Sequence, residues 1–310
     1  MCAGRTDMAT PRHDSVPTRK KLWHNARMAI ISRQLLIFLV ALCSVAAVAV
    51  AAEPLRVAPL PMESREATVK AFNPVVTYLQ ETLGQAVELV YFDKNSEIVA
   101  AMKKGEVDVA MLGPLPYVSA RQQSIAIEPL ILFKEASGEA RYRCVLVAFG
   151  GDVVSLRALR GKRIALTQPL STCGYLGTNA ILRRHGGMTL EDTQYQYMNT
   201  HEAAALAVVK GDAVAAGIKD EFAAKFAGLG LTVIGASDWV PALGLFAHRG
   251  TLDDARMKEL RRILLATPAA VYQRWGNAMR FGMVSAADAD FEGLRRLGDP
   301  ASIPAAPKGQ

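Results

Sequence analysis

The chain has 310 residues, 51% of them hydrophobic, and a formal net charge of +7. The first 52 residues hold seven of the 36 Lys and Arg residues but only two of the 29 Asp and Glu residues, so the rest of the chain has a net charge of +2. Nucleic-acid binding needs a clustered basic face, and the sequence contains no such cluster, so this class of function is excluded.

The first 52 residues have the layout of an export signal. Basic residues precede an apolar block from Leu35 to Val50, which ends in small residues suited to cleavage. The block has about 16 residues, fewer than the roughly 20 that span a bilayer, so a cleaved signal is favoured over a retained anchor. We expect a signal peptide at 28–52, after an extension or misassigned start at 1–27, and hence a periplasmic protein. Cys43 does not follow a small residue, which argues against a lipid anchor.

Short apolar runs then alternate with amphipathic helical patterns along the first half of the chain. Glycines follow the helical patterns and mark where the helices end. The predicted elements are a strand from Leu55 to Ala58, a helix through Val69, Phe72, Val76, Leu79 and Leu83 that ends at Gly84, a strand from Val87 to Tyr91, a helix from Asn95 or Ser96 to Gly105, and a strand from Val107 to Met111.

The second half repeats this alternation and ends in two further helical patterns. The predicted strands run from Tyr142 to Phe149, Arg163 to Thr167, Gln194 to Met198, Val214 to Ile218 and Pro241 to His248. The predicted helices run from Leu156 to Leu159, Gly174 to His185, Asn199 or Thr200 to Gly211, Asp253 to Ala266 and Ala287 to Leu297.

Strands that alternate with helices predict an α/β fold with mostly parallel sheets covered by helices. The segment from Phe92 to Pro114 and the segment from Tyr197 to Asp220 follow the same order of elements, which favours two similar lobes over chance likeness of common units. We predict that residues 53–140 and 247–310 form one lobe and that 141–246 form the other. Loops at the carboxyl ends of the strands would then line a crevice between the lobes.

Two of these loops carry candidate ligand-binding residues. Gly113 to Tyr117 predicts a rigid turn held by glycine and prolines, with the Tyr117 hydroxyl available. Gln168 to Tyr175 places Ser171, Thr172 and Gly174 at a helix start, where backbone N–H groups and hydroxyls suit an oxyanion. The alternative is that Ser171 or Thr172 only caps the helix.

Two cysteines, Cys144 and Cys173, remain after the predicted leader is removed. In an oxidising compartment they are candidates for a disulfide, although sequence cannot show that they lie close together. If Cys173 were free at the helix start, its pKa could be lowered and His201 could act as its base. A thiol-dependent enzyme is therefore the competing function, but no nucleophile motif surrounds this cysteine.

The combination of LGPLPY, STCGYL before a helix, and a Thr-His helix start resembles the PhnD-like group of phosphonate, phosphite and phosphate binding proteins of ATP-driven importers. The likeness extends from Leu55 to Leu265. It implies the type II periplasmic-binding-protein fold, in which two hinge strands join two α/β lobes. It also implies that Tyr117, Ser171, Thr172, His201 and the backbone around Gly174 and Tyr175 contact the ligand.

The chain departs from this family pattern at three places. Cys173 stands where family members commonly have Ser, which removes a good hydrogen-bond donor. Lys219 stands where many relatives have carboxylates, so it would favour a ligand with added negative charge unless it is simply a solvated lysine. Pro61 and Met62, with Leu60, form a less polar wall than bare phosphate would need.

We therefore expect a monomeric solute-binding protein that captures a small oxyanion by hinge closure and presents it to an ABC permease. The expected ligand-binding set is Pro61, Met62, Gly113, Tyr117, Ser171, Thr172, Cys173, Gly174, Tyr175, His201 and Lys219. We expect no catalysis, no cofactor and no metal, since the sequence has no residue cluster with metal-ligand spacing. A ligand-sensing partner of a membrane histidine kinase is the alternative within the binding class.

Overall fold

The computed structural model describes residues 53–150, 155–295 and 299–306. The predicted signal peptide and the extension before it lie outside the described residues. Within the described ranges, no helix combines the length and the apolar composition that crossing a bilayer requires.

The described strands and helices are named in chain order. The strands are β1 (Leu55–Ala58), β2 (Val87–Leu89), β3 (Val109–Leu112), β4 (Ile127–Phe133), β5 (Arg141–Phe149), β6 (Arg163–Leu166), β7 (Gln194–Tyr197), β8 (Ala215–Lys219), β9 (Leu231–Pro241), β10 (Gly244–His248) and β11 (Met283–Ser285). The α-helices are α1 (Arg65–Leu83), α2 (Asn95–Lys103), α3 (Pro114–Gln122), α4 (Tyr175–Ile181), α5 (His201–Val209), α6 (Asp220–Phe226), α7 (Asp254–Leu265), α8 (Ala269–Tyr272) and α9 (Glu292–Arg295).

Most of the elements predicted from sequence are present within two residues of their predicted bounds. The helix predicted from Gly174 to His185 is α4 continued by a π-helical turn at Leu182–Gly186. The segment predicted as a helix from Ala287 to Leu297 is a 3₁₀ turn at Asp288–Phe291 followed by α9, with 296–298 outside the described residues. Strands β4, β9 and β11 and helices α3, α6 and α8 were not predicted.

Helix α1 shows why the periodic segments could be predicted. Ser64 caps its start by accepting a hydrogen bond from the Ala67 amide at 3.3 Å. Phe72 and Leu79 lie on the face that packs into the core and are 2% and 1% exposed. Gly84 ends the helix with φ of 63°, the left-handed conformation that glycine adopts without strain.

The strands form two mixed sheets, each covered by helices. The first has the order β11-β4-β10-β3-β1-β2, and the second has the order β7-β6-β8-β5-β9. In the first sheet β1 pairs in parallel with β2 and β3, while β10 runs antiparallel to β3 and β4. In the second sheet β6 pairs in parallel with β7 and β8, while β5 runs antiparallel to β8 and β9. The predicted two-lobed α/β class is confirmed, with more antiparallel pairing than strand and helix alternation alone suggests.

The chain crosses between the two sheets twice, after β4 and after β9. The Phe133 amide donates to the Leu243 carbonyl at 2.8 Å, and the Ala242 amide donates to the Ala140 carbonyl at 3.0 Å. The two crossings therefore run side by side. Since β10 joins the first sheet from its first residue, the return crossing is at 242–243, a few residues before the predicted boundary between 246 and 247.

The packing at the return crossing generates a test of the fold. A Cβ atom added at Gly244 would lie 2.3 Å from the Ile131 carbonyl oxygen, in the middle of the first sheet. We expect Gly244→Ala to lower the free energy of unfolding by about 1–3 kcal/mol through overpacking, measured by urea denaturation. Gly228→Ala is the matched control, because its added Cβ would meet no atom within 4 Å. Equal midpoints for the two variants would contradict this packing.

Candidate functional site

A small cavity lies between the lobes, where the loops that follow β1, β2, β3, β6 and β7 meet. Its volume is about 20 Å³, the space of about one water molecule. The first lobe contributes Leu60, Pro61, Met62, Asn95, Gly113 and Pro116; the second contributes Tyr142, Thr167, Gln168, Leu170, Ser171, Thr172, Asn199 and His201; and Leu243 comes from the return crossing. Loops at the carboxyl ends of parallel strands are where such folds bind their ligands.

Six of the eleven residues predicted to bind ligand line this cavity. They are Pro61, Met62, Gly113, Ser171, Thr172 and His201. The other five lie outside the set of described lining residues; they are Tyr117, Cys173, Gly174, Tyr175 and Lys219. Whether the six bind a ligand stays a prediction, but the structure brings them together.

Several polar lining residues were not predicted. Asn95, Thr167, Gln168 and Asn199 each stand just beyond the carboxyl end of a strand. Their position was therefore a signal that the sequence analysis could have used. Tyr142 comes from the beginning of β5, and nothing in its sequence position indicates the cavity.

Helix starts from both lobes converge on this cavity. At α2, the Asn95 amide donates to Gln168 Oε1 at 2.8 Å and Asn95 Nδ2 donates to the Leu170 carbonyl at 3.1 Å. At α3, the Leu115 amide donates to Thr172 Oγ1 at 3.1 Å. These hydrogen bonds cross from one lobe to the other, so the structure represents lobes that are in contact around the cavity.

Helix α5 is the third helix start at the cavity, and it makes a crossing contact from the opposite lobe, since its His201 amide donates to the Met62 carbonyl at 3.2 Å. The positive ends of three helix dipoles thus lie at the cavity. None of the described lining residues is Asp, Glu, Lys or Arg. The cavity therefore has no charged side chain among its described lining residues, and the positive helix ends around it suit an anion.

The loop between β6 and α4 is held by its own backbone. The Ser171 amide donates to the Gln168 carbonyl at 3.0 Å, and the Gly174 amide donates to the Ser171 carbonyl at 3.0 Å. A Cβ at Gly174 would lie 2.5 Å from the Gln168 oxygen and 2.9 Å from Thr167 Oγ1, so only glycine fits. Contrary to the prediction that the Gly174 amide is free for a ligand, it closes this turn.

His201 is buried and held in one orientation. The Lys219 amide donates to His201 Nδ1 at 3.1 Å, and the imidazole ring stacks on Phe222 with centroids 5.0 Å apart. Burial, helped by the nearby Lys219 charge, lowers the pKa of His201 to about 3. A neutral imidazole that accepts at Nδ1 carries its proton on Nε2, so His201 has a donor that does not depend on pH near neutrality.

Lys219 neither faces a ligand nor lies in solvent, so both interpretations of it need correction. Its side chain is 1% exposed, and its ammonium lies 2.8 Å from Glu135 and 2.8 Å from Glu221. Burial opposes its charge, but these two carboxylates outweigh that effect and hold the pKa of Lys219 above its ordinary value. The ion pair with Glu135 ties the second lobe to the segment that crosses from β4 to β5.

Tyr117 is buried in the first lobe and lies outside the cavity. The predicted turn is the first turn of α3, with Pro114 at a position where proline is tolerated. Helical geometry turns the Tyr117 ring against Phe246 and Phe291, at centroid distances of 4.8 and 4.4 Å. Its hydroxyl donates to the Asp288 carboxylate.

Tyr175 is also absent from the described cavity lining. Its hydroxyl donates to Glu191 at 3.1 Å.

Cys144 and Cys173 form a disulfide that joins β5 to the loop before α4. Both residues are 1% exposed. The pairing that sequence left open is therefore present. Because the Cys173 sulfur is bonded, the thiolate on which the thiol-enzyme alternative depended is absent from this state.

Comparison with known proteins identifies one family. The family described as "ABC transporter, phosphonate, periplasmic substrate-binding protein" matches residues 57–291. The phosphate-import protein PhnD of Mycolicibacterium smegmatis is 25% identical over 281 residues, which cover 80% of this chain and 85% of that protein.

Two solved structures share the fold. PhnD1 from Prochlorococcus marinus, in complex with methylphosphonate, has a TM-score of 0.69 at 15% identity and covers 79% of this chain and 97% of its own. A binding-protein component of an ABC phosphonate transporter from Pseudomonas aeruginosa has a TM-score of 0.68 at 20% identity and covers 79% and 85%. Both agree with the two-lobed architecture described above.

The disulfide generates a prediction about stability. Its cysteines are 29 residues apart, and closing such a loop restricts the unfolded chain enough to stabilise the folded state by about 3 kcal/mol. We expect Cys144→Ala with Cys173→Ala to lose roughly this amount in urea denaturation. As a control, a reducing agent should lower the midpoint of the wild type and leave the variant unchanged. The wild type should be unfolded first in the presence of reductant, so that the buried disulfide is accessible. An unchanged denaturation midpoint after that treatment would contradict the pairing.

Burial of neutral His201 generates a prediction about pH. Its folded pKa of about 3 lies below the ordinary 6.5, so between these values the unfolded chain binds more protons. The contribution is fully present above about pH 6.5 and is lost as the pH falls through this window. From about pH 7 to pH 5 we expect the wild type to lose about 2 kcal/mol more than His201→Asn.

Denaturation of both proteins across this pH range measures the difference. Asn is the matched variant because its Oδ1 can still accept from the Lys219 amide. Parallel pH profiles for the wild type and the variant would show that His201 does not titrate as its burial requires.

Proposed function

This chain belongs to the family of periplasmic phosphonate-binding components of ABC transporters, and from this premise we propose that its inter-lobe cavity captures a phosphorus oxyanion. The phosphonate, phosphite and phosphate class is the ligand class proposed. The protein would act in the periplasm as a monomer and would deliver the ligand to a separate permease without chemical change. Its relatives are substrate-binding components of transport systems.

The observation that carries the proposal is an unpaired hydroxyl in the cavity. Thr167 Oγ1 is buried and has no hydrogen-bond partner among the described residues. A buried hydroxyl without a partner is costly, and a ligand oxygen would supply the missing partner. Ser171 and His201 line the same cavity, and the Ser171 hydroxyl and the His201 Nε2–H group would donate to further oxygens of the anion.

An unpaired acceptor favours a partly protonated ligand. Asn95 Oδ1 is also buried without a partner, while Asn95 Nδ2 is engaged by the Leu170 carbonyl. This oxygen can accept from a P–OH group. A monobasic phosphonate or phosphate offers such a donor, whereas sulfate, which is fully ionised near neutral pH, does not. The pair of Thr167 and Asn95 would therefore favour the phosphorus oxyanions over sulfate.

Capture requires the lobes to separate. The cavity of about 20 Å³ is too small to admit a phosphonate group while the contacts of Asn95, Leu115 and His201 across the gap are in place. Rotation about the paired crossings would open it. Around a bound anion the lobes would close again with these contacts spaced further apart, and a permease can recognise that liganded closed state.

A thermal-shift titration tests this function. Phosphate, phosphite and methylphosphonate should raise the melting temperature of the wild type, because a ligand at about 100 times its Kd stabilises the folded state by about 2.7 kcal/mol. Ser171→Ala with Thr172→Ala should lose this response, since both residues line the cavity and Thr172 Oγ1 also accepts from the Leu115 amide across the gap. Sulfate should shift the wild type much less.

The matched control replaces one exposed Ser and one exposed Thr outside the cavity, in Ser285→Ala with Thr232→Ala. This variant should respond to ligand like the wild type. An undiminished shift in the Ser171 and Thr172 variant would place the ligand elsewhere. Absence of any shift in the wild type with all three phosphorus oxyanions would overturn the proposed ligand class.

A further inference from the structure

A second and much wider cleft lies between the lobes beside the small cavity. Its volume is about 1140 Å³, and residues of both lobes and of the segment between β4 and β5 line it. Ligand sites for sizeable organic molecules usually have volumes of about 300–1,000 Å³. The lobes are thus in contact around the small cavity while this cleft remains wide enough for an organic molecule.

The two spaces share a wall. Leu60 and Met62 line both of them. The His201 ring lines the small cavity and stacks on Phe222, which lines the cleft, with centroids 5.0 Å apart. The two spaces are therefore neighbours, with the His201 and Phe222 ring pair and the flexible, unbranched Met62 between them. A group attached to an anion in the cavity would therefore reach the cleft past Met62, which lines both spaces.

The cleft is amphipathic rather than a second anion site. Trp239 and Phe281 line it from opposite lobes with 48% and 42% of their surfaces exposed. The Arg141 guanidinium lies 5.0 Å from the Trp239 ring centroid and supports it. The charged lining residues balance: Lys70, Arg141, Lys225 and Arg274 are basic, and Glu63, Glu135, Asp220 and Glu221 are acidic.

We propose that this cleft is a substituent-binding subsite that accepts an aryl-sized organic group on a phosphonate or phosphate monoester whose oxyanion lies in the small cavity. The inference rests on the function proposed above. Exposed aromatic surface that faces a cleft from both sides gains stability when a planar apolar group fills it. Inorganic phosphate or a methylphosphonate would leave Trp239 and Phe281 uncovered. The ligand class is thereby narrowed to organic oxyanions with a bulky apolar part.

Calorimetric titration with methylphosphonate and phenylphosphonate tests the subsite, because the two probes carry the same anion and differ in the substituent. The wild type should bind phenylphosphonate about tenfold or more tightly than methylphosphonate, a typical gain for burying an aromatic ring. Trp239→Ala with Phe281→Ala should remove most of this preference and leave the Kd for methylphosphonate within about twofold.

The matched control is Phe149→Ala, because Phe149 is also 42% exposed but does not line the cleft. It should keep the preference of the wild type. Melting temperatures of all variants without ligand establish that they are folded.

The outcomes separate this inference from the function on which it rests. If the wild type binds both probes equally well, or if the Trp239 and Phe281 variant weakens both probes alike, the subsite does not exist. If methylphosphonate binding depends on Ser171 and Thr172 in that case, the proposed function still holds. If the wild type binds neither probe and not phosphate either, both proposals fail together.

Discussion

The closed arrangement depends on helix-start amides that find acceptors across the gap between the lobes. The amides of Asn95 and Leu115 donate to Gln168 and Thr172, and that of His201 donates to the Met62 carbonyl. Groups that would otherwise be costly to bury are satisfied only when both lobes are present. The same geometry concentrates positive dipole ends at one point without placing a charged side chain there. In the proposed function, selection of the ligand would therefore depend on hydrogen bonds to single atoms such as Thr167 Oγ1.

Local signals predicted much of this arrangement. Periodicity and glycines located most strands and helices, and the placement of loops at strand ends predicted the crevice and six of its lining residues. Tyr117 was misplaced because Gly-Pro-Leu-Pro suggested a turn, while proline also suits the first turn of a helix. Because the segment is a helix and not a turn, the Tyr117 side chain points into the core of the first lobe and not into the cavity.

Long-range pairing could not be predicted in the same way. The partner of Lys219 on the crossing segment is Glu135, which is 84 residues away in the chain, and no local pattern connects the two. The long edge strand β9 was missed because its exposed and half-buried residues do not alternate regularly. Sequence could name Cys144 and Cys173 as candidates, but only the approach of β5 to the loop before α4 decides that they pair.

Leu243 belongs at once to the return crossing and to the cavity wall, and its carbonyl accepts from Phe133 in the neighbouring crossing. The proposed pivot and the wall of the proposed ligand site are therefore partly the same atoms. A substitution at Leu243 would therefore change the return crossing and the cavity wall at the same time, so the mobility of the lobes and the shape of the site are coupled through one residue.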